Sequence, residues 1–541
     1  MKILNYLEEY DAPIAKIGFM TALSGLANAM ILAIINSAAE MISNNDLQAH
    51  YLLLYITTFA IYVYTQRFAL SQTVIAIEKF IRKVRVRIAD KIRSADLHFI
   101  ENSERGEMYT RLTQDSNLIS QSGLLLITAA QSGMVLVFSF IYLAWLSPIS
   151  FLMTIVFISL AVYTYWFYEK NISKQLHLAT QKEAKFFAYF SHLLDGFKEL
   201  KMNRQKSDDL FDQIDTLSKE TEQLKVNVGL QQVTTLMFSR MSFYLLLAIL
   251  VFIVPTFHAS NADEIYKIST TILFIIGPIN MLVTSLPTVS QSNVALDNLS
   301  TLETQLDGVI IDIYSQQQPM VSDFKEIQLD KATFSYQDKH GKSLFSIGPI
   351  NLSIEKGEMV FIVGGNGSGK STLLKLLTSL YDPTKGSVDL NCEPIDRTQY
   401  ASYRELFAII FTDFHLFDKL YGLSNIDDKQ VKGLLRLMQL DKKTKYREGE
   451  FTQLDLSTGQ KKRLAFVAAI LDNKPIYIFD ELAADQDPQF RKYFYEVILP
   501  DLKQQGKTII AVTHDDKYFH VADRVLKMEY GQLVHYDEGK L

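Results

Sequence analysis

Long apolar runs fill the chain up to about residue 290, whereas only short ones follow. Six of the long runs approach the length needed to cross the roughly 30 Å hydrocarbon core of a bilayer. They lie near residues 17–36, 49–75, 123–146, 149–168, 236–257 and 268–287. Residues 17–35 and 123–145 contain no charged side chain, which disfavours the alternative of buried helices in a large soluble protein. The pattern therefore predicts six transmembrane helices.

The charges between these runs orient the predicted bundle. Residues 37–48 carry Glu40 and Asp46 but no lysine or arginine, and little more than Ser147-Pro148 separates the third run from the fourth. The two long connections, 76–122 and 169–235, are instead rich in basic residues. Because basic connections stay on the cytoplasmic side of a membrane, both termini are predicted to be cytoplasmic.

Both long connections exceed simple loops. Between Ile81 and Ile92, apolar residues recur at helical spacing with charges between them, so we predict helices that continue out of the membrane. Each connection has a turn near its middle, around Ser103–Gly106 in the first and Asp195–Gly196 in the second. Turns in these places are expected to contact a cytoplasmic domain.

Among the polar residues of the predicted spans, three are candidates for a cargo cavity. Gln66 and Arg67 lie in the second span and Arg240 in the fifth. A charge at mid-membrane costs about 2.5–3.5 kcal/mol on insertion scales, so such residues usually face a cavity or a partner. The three could line a substrate cavity. Alternatively, the arginines lie at the inner interface and extend their charged ends into water.

Composition narrows the possible partners. The net charge is -6 and hydrophobic residues make up 48% of the chain, which does not suggest a nucleic-acid-binding surface. Cys392 is the single cysteine, so no internal disulfide is possible, and no Cys/His cluster has zinc spacing. The N-terminal segment carries Glu8, Glu9 and Asp11 rather than a basic stretch, so a removed signal peptide is not expected.

The rest of the chain has a different character. Residues 306–322 have the composition of a linker, and from 323 to 541 short apolar runs alternate with turns and helical stretches. This alternation predicts an α/β domain. The predicted fold class is thus an all-α membrane domain of six helices, residues 1–305, fused to an α/β domain, residues 323–541, whose motifs predict its ligand.

A glycine-rich loop, VGGNGSGKST at residues 363–372, follows the apolar run 359–362. Gly364, Gly369, Lys370 and Ser371 form the full phosphate-loop (Walker A) pattern, with the strand before and the helix after that the pattern requires. Backbone N–H groups of such a loop, assisted by the helix N-terminus, bind phosphate. Lys370 is expected to reach the terminal phosphates of ATP and Ser371 to bind Mg²⁺.

Two further strand ends carry candidate catalytic groups. The apolar run 476–479 ends in Asp480 and Glu481, and Thr508–Val512 is followed by Thr513 and His514. A strand-end aspartate holds Mg²⁺ in phosphate-loop enzymes, which predicts that role for Asp480. Glu481 is expected to orient or deprotonate the attacking water, and His514 to contact the γ-phosphate.

The segment Leu456-Ser457-Thr458-Gly459-Gln460, called the signature below, supplies a third kind of site. Ser457 and Gln460 have the spacing of a capping box that opens a helix over 461–471. A helix start with a serine and a glycine is also an anion site. The segment resembles the signature sequence of the ABC transporter superfamily, and the phosphate loop, Asp480-Glu481 and His514 follow the family's order.

The resemblance covers essentially the whole chain and implies an exporter-type half-transporter. In that family two nucleotide domains pack head to tail, so a homodimer with two ATP sites is implied, each between the phosphate loop of one chain and the signature of the other. Tyr336 matches the aromatic residue that stacks on adenine, and Asp487 matches an aspartate that communicates across the dimer. The ATP-binding residues are then expected to be Tyr336, Gly364, Asn366, Gly367, Ser368, Gly369, Lys370, Ser371, Thr372, Ser457, Gly459, Gln460 and Asp487. The turns near 99–115 and 193–204 are similar to the family's coupling helices.

Two departures from the family pattern stand out. Thr412 occupies the position of a glutamine that links the γ-phosphate, Mg²⁺ and the membrane domain, and Thr458 replaces a glycine of the signature. We expect Thr412 to reach Mg²⁺ by close approach or through water, with Asp413 as a possible helper.

The segments FTDFHLFD, DLSTGQKKRLAF, IFDELAADQDP and VTHDDKYFHVADRVLKME resemble bacterial exporters of cyclic peptides and siderophores, of the pyoverdine and syringomycin types. The implied function is ATP-driven efflux of a small cyclic or modified peptide, or a peptide siderophore, across a bacterial inner membrane. No peptidase sequence precedes the first span, so cleavage of a leader peptide is not expected. The alternatives are a flippase for a lipid or lipid-linked oligosaccharide, and an ATP-gated channel or regulatory membrane ATPase.

Overall fold

The computed structural model describes residues 13–43, 49–103, 105–253, 262–309, 324–337, 342–423 and 426–536. Most of the predicted linker, 310–322, and the end of the fifth predicted span, 254–257, lie outside these residues. The chain forms two compact units. The first comprises Met1–Arg85 and Thr110–Leu299, and the second comprises Val86–Tyr109 and Ser300–Leu541.

Long helices contain the described residues of all six predicted spans. The helices of the N-terminal part are α1 (Ile14–Ser43), α2 (Ala49–Ser94), α3 (Leu97–Asn102), α4 (Arg105–Thr110), α5 (Ser116–Leu146), α6 (Pro148–Asp195), α7 (Phe197–Met202), α8 (Arg204–Ala248) and α9 (Ala262–Asp307). One π-helical turn, Arg111–Asp115, precedes α5, and another, Ile249–Ile253, extends α8. At 1.5 Å per residue, the 46 residues of α2 extend about 69 Å, so helices do continue well beyond a membrane span, as predicted.

Four of the described helical segments are long and apolar enough to cross a membrane: Ile14–Ile42, Arg111–Leu146, Arg204–Ile253 and Glu264–Asp307. Pro148–Leu160 is a shorter apolar stretch. Helix α2 is not among the four, because tyrosines and threonines dilute its apolar sequence. The described residues of all six spans are thus helical, and membrane crossing by 49–75 and 149–168 stays a prediction.

Caps define the two turns predicted in the long connections. The Asp96 carboxylate accepts a hydrogen bond from the His98 N–H at 3.0 Å and begins α3. Gly196 ends α6, its N–H donating to His192 O at 2.9 Å. The Asn203 side chain then caps α8 by accepting from the Lys206 N–H at 3.1 Å. Short helices, α3 and α7, therefore occupy the two turn regions.

Apolar contacts and a few polar bridges hold the helical unit together. One buried cluster joins α5, α8 and α9 through Leu143, Leu246, Ile272 and other apolar residues. Gln131 Nε2 donates to Ser24 Oγ at 3.0 Å, which bridges α5 and α1. Polar side chains in membrane bundles form such interhelical bonds because lipid offers no partner.

The second unit is built on two sheets. A four-stranded antiparallel sheet has the order β2-β1-β4-β5, and a six-stranded sheet has the order β12-β11-β3-β10-β9-β6. The strands are β1 (Glu326–Gln337), β2 (Ser343–Glu355), β3 (Met359–Gly364), β4 (Lys385–Leu390), β5 (Glu393–Pro394), β6 (Phe407–Ile410), β7 (Tyr446–Arg447), β8 (Glu450–Phe451), β9 (Ile476–Asp480), β10 (Thr508–Val512), β11 (Arg524–Glu529) and β12 (Gln532–His535). In the six-stranded sheet all strands run parallel except β12.

Helices cover the six-stranded sheet. They are α10 (Lys370–Leu377), α11 (Tyr400–Arg404), α12 (Asp428–Leu437), α13 (Thr458–Asp472), α14 (Pro488–Tyr493) and α15 (Leu499–Gln504). Alternate residues of β3 enter different cores, Met359 and Phe361 on one face and Val360 and Ile362 on the other. A parallel strand buried on both faces has a continuous apolar sequence. For this reason the strands could be predicted from short apolar runs.

Segment Val86–Tyr109 belongs to this second unit through specific contacts. Lys91 pairs with Asp307 at 2.7 Å, and the Asp96 N–H donates to Val309 O at 2.9 Å. Both contacts are with the end of α9 and the residues after it. Glu101 of α3 also pairs with Lys375 of α10 at 2.7 Å, so α3 lies against the nucleotide-binding part of the chain, as expected of a turn that contacts a cytoplasmic domain.

Candidate functional site

The functional groups predicted from the sequence meet at one edge of the six-stranded sheet. Strands β3, β10, β9 and β6 are consecutive neighbours and parallel. Their carboxyl ends lead into the phosphate loop, His514, Asp480-Glu481 and Thr412, respectively. Ligands of parallel α/β sheets bind outside these strand ends, so the topology alone assembles one site from four distant segments.

The shape of the phosphate loop requires glycine at two positions. Gly364 has φ +149°, and a Cβ there would lie 2.3 Å from Met528 O. Gly369 has φ +102°, and a Cβ would lie 2.7 Å from Ile347 Cγ2. Helix α10 begins directly after Gly369, so its positive N-terminal end faces the loop.

Two observations fit a bound phosphate. The buried Lys370 ammonium donates to Gly364 O at 2.9 Å and Gly365 O at 3.1 Å, which holds it over the loop. The Ser368 hydroxyl is buried and has no hydrogen-bond partner among the described residues. Since unsatisfied buried polar atoms are costly, a phosphate oxygen is the expected partner.

The predicted magnesium-binding residues lie together beside this loop. Ser371 Oγ donates to Asp480 Oδ2 at 2.8 Å, and the Thr412 hydroxyl also bonds Asp480. Burial raises the pKa of Asp480, while these two hydroxyl bonds oppose the rise. Mg²⁺ takes oxygen ligands. The two hydroxyls and the Asp480 carboxylate supply such ligands at one place. Asp413 is exposed next to them.

Glu481 and His514 form a direct pair. His514 Nε2 lies 3.1 Å from Glu481 Oε1, and the same carboxylate oxygen lies 3.9 Å from Lys370 Nζ. The backbone of Glu481 is in the left-handed region, with φ +53°. Residues other than glycine rarely adopt this conformation unless their surroundings impose it. The carboxylate thus lies between the lysine of the phosphate loop and the predicted γ-phosphate histidine.

The capping box predicted for the signature is present. The Ser457 hydroxyl accepts from the Gln460 N–H at 3.4 Å, and Gln460 Oε1 accepts from the Ser457 N–H at 3.2 Å. The helix that it opens, α13, begins at Thr458 rather than 461. A Cβ on Gly459 would lie 2.6 Å from Asp485 O, so the loop after β9 packs directly on the signature.

Asp487 has a local structural role in addition to its predicted one. Its carboxylate accepts from the Phe490 N–H at 2.9 Å, which caps α14, and pairs with Arg463 at 2.6 Å. The backbone bond from Phe490, with help from Arg463, lowers the pKa of Asp487. Communication across a dimer stays a prediction for this residue.

Tyr336 and Thr372, both predicted to bind ATP, lie together. Tyr336 Oη is 3.1 Å from Thr372 Oγ1, so the ring lies beside the phosphate-loop helix. His98 of α3 meets the Tyr336 ring edge-on, with ring centroids 5.6 Å apart. Glu101 of α3 pairs with Lys375 of α10 at 2.7 Å and accepts a hydrogen bond from Tyr381. The sequence placed a contact near 99–115 but did not identify these residues.

Sequence reasoning also missed Lys462 on α13. The ammonium of this buried side chain bonds to the Glu481 main chain and the Asp485 carboxylate. A signal was available, because Lys462 shares a helix face with Phe466 and Ala469, which are buried. A charged residue on an otherwise apolar face calls for a partner.

The predicted cargo residues do not form a cluster. Arg67 and Arg240 are exposed and Gln66 is partly exposed, and no hydrogen bond or ion pair joins them within the described part of the chain. A separate cavity of about 230 Å³ in the helical unit is lined by Gln232, Thr235, Thr284 and apolar neighbours. The predicted cargo residues do not lie in its wall. Contact of Gln66, Arg67 and Arg240 with cargo stays a prediction.

Comparisons with known proteins cover both units. Residues 347–484 match the family described as ABC transporter, and residues 14–281 match the ABC transporter transmembrane region. The chain is 32% identical to "ATP-binding protein SyrD" of Pseudomonas syringae pv. syringae, over 95% of this chain and 93% of that protein. It is 25% identical to an "ATP-dependent lipid A-core flippase" of Blochmanniella pennsylvanica, over 84% of this chain and 79% of the relative.

The fold is shared with a solved structure, "Structure of a bacterial Atm1-family ABC exporter with ATP bound". The TM-score is 0.79 at 18% identity, with 97% of this chain and 95% of that chain covered. The predicted combination of a helical membrane domain and an α/β nucleotide-binding domain is thereby confirmed.

Proposed function

Because the chain belongs to the ABC transporter family, which couples ATP hydrolysis to transport, we propose that it exports a small cyclic or modified peptide, or a peptide siderophore, from a bacterial cytoplasm. The observation that carries this proposal is the single sheet edge where the phosphate loop, Asp480, Glu481 and His514 meet. These strand ends supply the phosphate-binding and catalytic groups that an active transporter needs in each chain.

Each residue of the site has a proposed task in hydrolysis. Lys370 and the loop N–H groups bind the β- and γ-phosphates, and His514 contacts the γ-phosphate. Glu481 orients the attacking water and accepts its proton, which requires the carboxylate to be ionised. Ser371, Asp480 and Thr412 would hold Mg²⁺, which neutralises charge on the phosphates when bound. Tyr336 stacks on adenine.

A homodimer follows from the arrangement of one phosphate loop and one signature in each chain. In the proposed dimer, Ser457, Gly459 and Gln460 complete the ATP site of the partner chain. The exposed position of Ser457 at the start of α13 supports this assignment, since the free N-terminal end of a helix is available to a phosphate from outside.

A groove in the nucleotide-binding unit supports a second contact between the chains. Its volume is about 380 Å³, and apolar residues such as Phe417, Leu420 and Tyr421 line it. Helix α7 exposes Phe197 and Met202. We propose that α7 of one chain enters this groove of the partner, because exposed apolar patches of this kind mark interaction sites.

These contacts support an alternating-access mechanism. ATP can drive the change only by binding the closed dimer more tightly than the open one. In the proposed cycle, closure moves α3 and α7, the helical domain opens to the outside, and hydrolysis returns it to the cytoplasm-facing state. Both termini are cytoplasmic in this arrangement.

The proposed cargo class rests on the motifs of the nucleotide domain that resemble cyclic-peptide and siderophore exporters. The similarity to SyrD, over 95% of this chain, is consistent with this proposal. A flippase is the second candidate, favoured by the similarity to the lipid A-core flippase of Blochmanniella pennsylvanica and by the exposed Arg67 and Arg240, which could bind lipid phosphates.

One experiment separates the two cargo classes. Glu481→Gln replaces the wild-type chain in the native host, and untargeted mass spectrometry compares cells, medium and membrane lipids. Export predicts a peptide or siderophore that accumulates inside and disappears from the medium. A redistributed lipid or lipid-linked sugar, with unchanged secreted peptides, would contradict peptide export and support the flippase.

A further inference from the structure

A buried lysine connects the signature helix to the loop that carries Glu481. Lys462 lies on α13 and its side chain is only 3% exposed. Its ammonium donates to Glu481 O at 2.8 Å and pairs with Asp485 Oδ2 at 2.7 Å. Burial of a charge is tolerated only with partners in good geometry, and both partners here belong to the loop after β9.

This contact acts on the strained residue of the site. Glu481 has φ +53°, and its N–H donates to Val512 O at 3.2 Å. Its carbonyl accepts from both Lys462 and the Ala484 N–H, the latter at 3.2 Å. Main-chain bonds on both sides of the Cα therefore hold an unfavourable backbone conformation, and the direction of the Glu481 side chain follows from that conformation.

We propose that Lys462 is a positioning residue for ATP hydrolysis, which holds the Glu481 main chain so that the carboxylate points at Lys370 and His514. The proposal rests on the catalytic role proposed for Glu481. Lys462 and Ser457 are five residues apart at the start of one helix. The position of Glu481 thus depends on that helix, whose signature faces the ATP bound by the partner in the proposed dimer. One side chain thereby links the two ATP sites.

A second pair of contacts ties the same loop to the same helix. Gln486 Nε2 donates to Gly459 O at 2.9 Å, and Arg463 Nε donates to Gln486 Oε1 at 2.7 Å. These bonds fix the loop beyond Asp485 without involving Glu481. Loss of Lys462 alone should therefore leave the loop in place and release mainly the Glu481 carbonyl.

The test uses the full-length chain in lipid nanodiscs and measures kcat and KM for ATP. Lys462→Met removes the donor but keeps an unbranched side chain. We expect kcat to fall at least about tenfold and KM to stay within about twofold of wild type. The loss in kcat is a part of the rate acceleration of about 10²–10⁴ that a positioned general base contributes. Lys462→Arg keeps a charged donor and should recover part of kcat. Lys432→Met, at an exposed lysine of α12, is the matched control and should behave as wild type.

A double variant separates positioning from a merely structural role. If Lys462 acts through Glu481, then Lys462→Met should not lower the residual kcat of Glu481→Gln further. A wild-type kcat in Lys462→Met, or an equal fold loss in both backgrounds, would overturn the proposal. If Lys462→Met does not fold, Lys462→Gln, which keeps a donor of shorter reach, replaces it with the same expected split between kcat and KM. Wild-type turnover of Glu481→Gln would instead refute the role of Glu481 itself.

Discussion

Three side chains decide the chemistry at the residue scale. Glu481, His514 and Lys370 converge within hydrogen-bond or near-contact distance, although they come from the ends of three different strands. A carboxylate at this point can accept a proton from the attacking water, which is the task proposed for Glu481. The buried Asp480 has a different environment, because burial raises its pKa, and a bound cation would stabilise its charged form.

The first prediction concerns Glu481→Gln. The amide keeps the shape of the side chain but cannot accept a proton, so kcat for ATP should fall by about 10²–10⁴ while ATP binding is retained. Phosphate release by the purified full-length chain measures this. Glu496→Gln, at an exposed glutamate, is the control, and a wild-type rate in Glu481→Gln would remove Glu481 from the mechanism.

The second prediction concerns Lys370→Ala. The ammonium is the one buried cation that contacts the phosphate loop within the described structure, and charge-assisted bonds to phosphate are strong. We expect ATP affinity to fall by about tenfold or more, as measured with a fluorescent ATP analogue. Lys432→Ala should bind as wild type. Unchanged affinity in Lys370→Ala would contradict the phosphate-loop assignment.

At the element scale, two short helices, α3 and α7, are the proposed links between the long helices and the nucleotide-binding part. Helix α3 packs His98 and Glu101 against the Tyr336 and Lys375 side chains. Helix α7 exposes Phe197 and Met202 instead. We interpret α3 as the contact made within the chain and α7 as the contact offered to the partner.

A substitution on α7 tests that interpretation. Phe197→Glu places a charge on a surface that is proposed to enter an apolar groove, so ATP hydrolysis should continue while transport is lost. The ratio of transported cargo to hydrolysed ATP should fall at least about fivefold, since burying an unpaired charge costs well over 1 kcal/mol. Phe211→Glu, at an exposed position of α8, is the control. Wild-type coupling in Phe197→Glu would exclude α7 as a coupling element.

Local sequence was sufficient for the elements but not for the contacts between them. The phosphate loop, the strand ends and the capping box of Ser457 depend on neighbouring residues, so each was predictable. The bond from Lys462 to Glu481 joins residues 19 apart, and the pair Glu101–Lys375 joins residues 274 apart. Such contacts depend on how the elements pack. The predicted start of α13, residue 461, is three residues late, because the helix begins at Thr458, directly after the cap residue Ser457.

At the scale of the whole molecule, the proposed ATP site needs two chains. Each chain carries one phosphate loop and one signature, and the proposed site takes one from each. The proposed homodimer therefore has two equivalent sites, and closure around ATP is the step that we propose to move the helical domains.

Mixed dimers test the composite site. Ser457→Asp keeps a good helix cap but repels phosphate, and Lys370→Ala disables the phosphate loop. Each homodimer should be inactive, whereas the mixed dimer keeps one intact site and should regain measurable ATP hydrolysis. The assay uses two affinity tags to isolate mixed dimers. If these are as inactive as the parents, the two motifs do not form a site across the interface.

The most direct test of ATP-driven export uses inside-out membrane vesicles, in which the nucleotide-binding units face the medium. The vesicles are incubated with the peptide fraction of the native host, and their contents are measured by mass spectrometry. The account predicts that a peptide accumulates with ATP and wild-type protein, but not without ATP or with Glu481→Gln. Accumulation that is independent of ATP, or the same with Glu481→Gln, would contradict it.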